Sequence, residues 1–477
     1  MTSVAQQLKE SRWINRFFLS ATEKRYELLA FVSLMSWALA APLAPFFLDH
    51  FYTYMISSTV TSLAVAYIIC AKLLRRAAGM VQRQYTWREH FFLHPWHFFL
   101  AGMLLWSVLS FFVQAEDKMR ALRGGPRLRE GLTAYCFYAM IYVVSVWLTE
   151  EKKRKIVQLT MMIGSVVPAA VFWFVEFGFT SYQYGWFGDW LFIISSHRAS
   201  IYLNSNYYGY YLTVILAITA TCFVSAEKRR ERLAAAVIFA LNVMTLVAND
   251  TLGAYVAVLF CLILIPVLYS IRDKFRIIYV LPLVLFFGIT MWLNFGVFWD
   301  EIGIESGSAI RNFMSLRADI ANILAGNKDA ASAGSGRWFL WQVTWDLMLK
   351  EPVFGCGPEQ MVYYLEEMTS IPYNWPHNEY LQYAAMLGIP AGLMYLAGLM
   401  SLAVAQIKKI RYLSNTTLVA GCVAFAYAIS AFFGGTTYVT APYIFMALGM
   451  TSLQQYRESQ KQDEQREQEA GVATEKC

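Results

Sequence analysis

Apolar runs of about 20 residues recur along this chain from Glu27 to residue 455, and this recurrence limits the possible folds more than any motif does. Each run is long enough to carry a helix across a bilayer. Runs are predicted near 27–48, 52–71, 91–113, 131–149, 156–177, 207–226, 233–248, 254–270, 277–297, 380–406, 416–433 and 441–455. Of 477 residues only 15% are charged, against about 25% in a soluble protein of ordinary composition. The expected class is therefore all-α, a polytopic membrane protein with about 12 spans, and soluble two-domain readings do not apply.

The first run follows a charged lead-in (Lys9, Arg12, Arg16, Lys24 and Arg25, with Trp13, Phe17 and Phe18 between them), expected to lie on the inner surface ahead of a retained signal anchor. Placing both termini in the cytoplasm puts 28 Lys and Arg in inner segments and 11 in outer ones, the direction expected of a bacterial inner-membrane protein. The segment 115–130 departs from that pattern: it is basic although it falls outside, so either the rule fails locally or the loop meets anionic phosphate. The net charge of +6 comes from short clusters at span ends and is no sign of nucleic-acid binding. Six of the seven cysteines fall in or beside spans or in the tail and only Cys356 in the large outer loop, so no disulfide framework is expected there.

The division that follows is 1–297 as a first membrane region, 298–379 as one large outer loop domain, 380–455 as a second membrane region, and 456–477 as a charged cytoplasmic tail. A connection as long as 298–379 is functional or disordered as a rule, and Trp338, Trp341, Trp345, Phe339 and Phe354 argue for order. Trp338, Trp341, Trp345 and Met348 follow helical spacing and share a face, with Pro352 ending the helix. That face either lies on the outer leaflet, where tryptophan is favoured, or packs within the loop domain.

Arg337 opens this helix after Gly334-Ser335-Gly336. A helix N-terminus offers free N–H groups and partial positive charge, and a guanidinium adds a planar fork suited to phosphate oxygens. The alternative is a surface arginine beside a turn. His377, in Trp375-Pro376-His377-Asn378-Glu379, lies at the mouth of the run that follows. An imidazole there can take a proton from a sugar hydroxyl, hydrogen-bond a substrate, or be structural. In the preceding outer segment Arg198 is the only Lys or Arg, a charge that has to be paired or face a polar cavity so near the bilayer. Asn204 and Asn206 can cap the next helix, and Tyr202, Tyr207, Tyr208 and Tyr210 suit sugars or the interface. There is no metal-ligand spacing and no phosphate-binding glycine loop. A donor whose leaving group is neutralised by arginines fits that absence, and neither metal nor cofactor is expected.

Ser335-Gly336-Arg337 with the tryptophan helix, Pro352-x-x-Gly355-x-Gly357, and His377-Asn378-x-Tyr380-Leu381 through Gly388 and Gly392 resemble the O-antigen ligase/polymerase superfamily of bacterial membrane glycosyltransferases. Arg198 with Asn204-x-Asn206 is similar to that family's preceding outer motif. The resemblance covers about 190 to 400 and implies a GT-C-like membrane fold and metal-independent glycosyl transfer. The implied donor is a glycan on undecaprenyl diphosphate, and the implied acceptor is a hydroxyl of a glycan or glycolipid. It further implies that Arg198 and Arg337 hold the diphosphate and that His377 serves the acceptor. Asn378, Tyr380, Asn204, Asn206, Trp338, Gly355 and Gly357 become substrate-binding candidates on the same ground. One departure stands out. Where family members often carry a Ser-Arg pair, this chain reads Asn249-Asp250-Thr251-Leu252. Either Arg337 and the basic 115–130 segment compensate, or the donor is held differently. The competing class is a transporter or flippase of lipid-linked oligosaccharide, against which span interiors nearly free of charge and the lack of an internal repeat both argue.

Overall fold

A computed structural model describes residues 6, 8–9, 11–47, 50–80, 94–125, 129–177, 198–202, 204–273, 277–293, 308–326, 333–334, 336–369 and 375–452. Ser335, His90, the charged tail after Tyr456 and most of the outer segment before Arg198 lie outside them.

The described residues form an all-helical bundle. Its longer helices are α1 (Glu23–Phe47), α2 (His50–Ala77), α3 (Pro95–Gln114), α4 (Leu132–Trp147), α5 (Glu151–Gly164), α6 (Val166–Glu176), α7 (Ser205–Ser225), α8 (Arg229–Asn249), α9 (Leu252–Asp273) and α10 (Leu281–Leu293). After these come α11 (Ser308–Ala325), α12 (Arg337–Lys350), α13 (Met361–Thr369), α14 (Glu379–Leu387), α15 (Ile389–Lys409), α16 (Asn415–Ser430) and α17 (Ala441–Ser452). Among the described residues eight stretches are long and apolar enough to cross a membrane, with α5 and α6 together making one of them, and α4, α10 and α16 are shorter apolar helices.

α7 is the centre of the bundle. It is apolar on all sides and 83% of its spanning window is buried, as a helix enclosed by others must be. α8, α9 and α16 surround it, while α3 with α15 and α4 with α17 form the neighbouring pairs. Tyr202, Tyr208 and Tyr211 stack at its N-terminal end.

The continuous span expected over 380–406 is two helices. Gly388 has φ +96°, and a Cβ on it would lie 2.1 Å from the Val353 carbonyl oxygen. Pro390 follows at the start of α15, where its missing N–H costs nothing. The chain therefore turns after α14, and spanning begins at Ile389. That break seats the corner after α12. The Cys356 and Gly357 amides donate to the Ala385 and Met386 carbonyls, each at 2.9 Å, and Ile389 N–H donates to Pro352 O at 2.9 Å. The first two satisfy carbonyls that the end of α14 would otherwise leave open.

Candidate functional site

α12 opens at Arg337 and closes at Lys350, two residues before Pro352. Its buried face is Leu340, Thr344, Leu347 and Met348, whereas Trp345 is exposed. Trp338, Trp341 and Trp345 line an open groove of about 660 Å³ with Gln342, Asp346 and Leu381. Met348 thus sits at the inner edge of the stripe and not in its line. Trp341 Nε1 donates to Pro376 O at 2.8 Å, which ties this helix to the turn before α14.

That turn is built residue by residue. Asn378 is the N-cap of α14, its Oδ1 accepting from Leu381 N–H at 3.1 Å. His377 has φ +54°, a left-handed conformation uncommon for a residue with a side chain. Its Nδ1 accepts from Trp375 Nε1 at 3.2 Å. Glu379 anchors the helix inward: Tyr395 and Tyr427 hydroxyls donate to its two carboxylate oxygens at 2.8 and 2.9 Å. Burial, with Arg337 adding to it, pushes the His377 pKa down to about 4, so the ring is neutral at pH 7.

Arg337 faces the same place from α12. Its guanidinium lies 3.5 Å from Asn206 Oδ1 at the N-terminus of α7, and it makes no ion pair among the described residues. Asn204 caps α7 by accepting from Asn206 N–H at 2.8 Å. Two helix N-termini and an arginine with no ion pair among the described residues therefore converge beside a neutral histidine, a setting that attracts anionic oxygen.

Arg198 belongs to this group by connection, yet its charge is answered. It pairs with Asp250 at 3.3 Å, and its amide donates to Glu176 at 2.7 Å. Asn249 Nδ2 donates to the Arg198 and Ser205 carbonyls at 2.5 and 3.0 Å, fastening this turn to α7. The turn that holds Asn249-Asp250-Thr251 in place of a Ser-Arg pair thus supplies a carboxylate to Arg198. The sequence contained Asp250, but nothing in it showed which cation it would meet.

The remaining candidates are placed elsewhere. Tyr380, half-buried, donates its hydroxyl to Ala428 O at 2.7 Å and packs on the exposed Phe432. Gly355 and Gly357 lie at the far end of α14, which is about 13 Å long at 1.5 Å per residue. Gly355 has φ +63° and a Cβ on it would lie 2.5 Å from Ala385 O, so its freedom serves the corner.

The described part of the basic segment 115–130 docks on this far end, beside the substrate-binding candidates Gly355 and Gly357. Arg120 Nε donates to Glu359 O at 3.0 Å and its guanidinium stacks 5.2 Å from the Tyr363 ring. Glu359 accepts from the Glu130 amide, and Glu130 in turn accepts from Tyr138. Burial raises the Glu359 carboxyl to about 7 despite those bonds and Arg120, and raises Glu130 well above the carboxylate range. An acid at the end of a five-cation loop, next to an apolar run, was the available signal for Glu130. Among the described residues no group of three His, Cys, Asp or Glu could hold a metal ion.

Residues 235–396 match the family model described as O-antigen ligase. The matched stretch takes in Asp250, Arg337 and His377 and stops within α15, leaving Arg198 outside. No curated protein matches the chain.

Proposed function

Taking the chain as a member of the O-antigen ligase/polymerase superfamily, and so as a bacterial membrane protein of glycosyl transfer, we propose that it moves a glycan from undecaprenyl diphosphate to a hydroxyl of an acceptor glycan or glycolipid. In this reading the reaction takes place at the outer face, with both termini cytoplasmic and the 298–379 segment roofing the site. Arg337 holds the diphosphate, helped by the N-termini of α7 and α12. Arg198 stands behind it with its charge shared by Asp250. His377 attends the incoming hydroxyl, and the tryptophan groove beside it receives glycan. Developing charge on a departing diphosphate needs fixed positive groups in a dry setting, and that is where such groups contribute most to rate. Reaction without a metal is part of the proposal.

The observation that carries this reading is the convergence of Arg337, without an ion-pair partner among the described residues, on His377 and Asn206 from separate elements. Purified protein in vesicles, given lipid-linked glycan and acceptor, tests it. Arg337→Ala and His377→Ala should each reduce transfer steeply. Undiminished turnover in both removes the assignment, and movement of lipid-linked glycan without a new glycosidic bond would favour a flippase.

A further inference from the structure

The bond between Trp375 and His377 fixes more than a ring orientation. An indole N–H can only donate, so the imidazole nitrogen it meets must offer a lone pair. That nitrogen is Nδ1, at 3.2 Å. A neutral imidazole carries a single ring hydrogen, which is then left on Nε2.

Several independent contacts hold the pair in register. The Trp375 ring lies 6.2 Å from that of Tyr207, and a Cβ on Gly435 would come within 2.9 Å of its Cδ1, so the indole is closely packed. Trp341 grips the Pro376 carbonyl between them, and the Asn378 cap fixes the chain on the other side. Arg337 opposes a second proton on the ring.

We propose that Trp375 is a positioning residue that holds His377 in the tautomer with hydrogen on Nε2, so that the imidazole presents a donor and not a base to the reacting hydroxyl. The partner of that donor rests on the transfer reading above; the tautomer does not. The consequence for the reaction is a definite path for the proton. The acceptor oxygen bonds to the anomeric carbon as the bond from that carbon to the diphosphate oxygen breaks. The electron pair leaves on the diphosphate. The hydroxyl proton passes to that same diphosphate beside Arg337, while His377 orients the hydroxyl by donating to its oxygen.

Solid-state NMR of full-length protein in vesicles, with nitrogen-15 and carbon-13 histidine, reads the tautomer directly, and subtraction of a His377→Gln spectrum isolates the ring. At pH 7 the wild-type difference spectrum should show a bare Nδ1 and a protonated Nε2, and Trp375→Phe should give a mixture or the opposite tautomer. Turnover in Trp375→Phe should fall on the order of tenfold, the effect of one lost hydrogen bond. Hydrogen on Nδ1, or on both nitrogens, in the wild type overturns the proposal. So does an unchanged tautomer in Trp375→Phe. If that variant does not fold, the wild-type spectrum decides by itself. Undiminished transfer by His377→Ala would take His377 out of the reaction and leave the tautomer standing.

Discussion

The two ends of α14 are treated in opposite ways. At its C-terminal end the backbone is closed. Gly388 turns the chain, Cys356 and Gly357 bond the last carbonyls, and Ser110 on α3 donates to Phe354 O at 2.6 Å and Trp106 to Val353 O at 2.7 Å. At its N-terminal end the backbone is pinned but the side chains are left available, with a histidine in left-handed conformation beside an arginine that pairs with no described carboxylate. A strained, unpaired arrangement persists only where its surroundings over-determine it. The closed end is what makes the open end possible.

Substitutions at the two ends should therefore fail differently. The largest effect is expected from Gly388→Val, which places a branched side chain at φ +96° with its Cβ against the Val353 carbonyl. A loss above about 3 kcal/mol is expected, seen as little monodisperse protein after extraction; a normal melting curve would break the comparison. Arg337→Ala should instead leave the melting temperature close to wild type. Transfer should fall about 100-fold, or roughly 2.7 kcal/mol in the barrier, with Arg337→Lys recovering part of it as a point charge without the fork.

The pH dependence of stability sharpens the contrast, because the two ends have opposite signs. His377 is depressed from 6.5 to about 4, so its contribution is present above 6.5 and lost as pH falls towards 4. Glu359 is raised from 4.5 to about 7, so its contribution is present below 4.5 and lost as pH rises through 7. Each is worth at most about 3 kcal/mol, and in the wild type they oppose one another between pH 4.5 and 6.5. Glu359→Gln should melt higher than wild type at pH 8, and His377→Phe should lose less stability than wild type on acidification. Parallel curves for wild type and both variants would show that neither group titrates as described. The smallest effect is expected of the caps: Asn378→Ala and Asn204→Ala should each cost about 1 kcal/mol. A far larger loss of transfer than of stability in either would make that asparagine a substrate contact as well as a cap.

Much of the site was legible from residue type and spacing. Arg337 reads as the first residue of a helix because glycines precede it and periodic tryptophans follow, and the helix runs to Lys350 before Pro352. Of the two caps expected for the helix at 207, Asn204 is the cap and Asn206 gives the amide it accepts from, while Asn378, expected as a substrate contact, caps α14. The misreadings share one cause, dependence on partners distant in sequence. Gly388 within an apolar run looked like an interior glycine; only the approach of Val353 and Cys356 makes it a break. Arg198 had to be paired or face a polar cavity, and only the fold shows that the partner is Asp250, 52 residues later. The basic 115–130 segment finds Glu359 and Tyr363 more than 200 residues away.

Composition and periodicity determined by themselves that this chain is a helical membrane protein, because apolar runs of spanning length have no other means of satisfying their backbone in lipid. Short-range spacing likewise placed the start of the tryptophan helix at Arg337 and a cap at Asn204. The tertiary structure decided which cations are neutralised, where the spanning helix breaks and which nitrogen of His377 meets Trp375. Those outcomes depend on distances between segments far apart in the chain, and local sequence does not encode a distance of that kind.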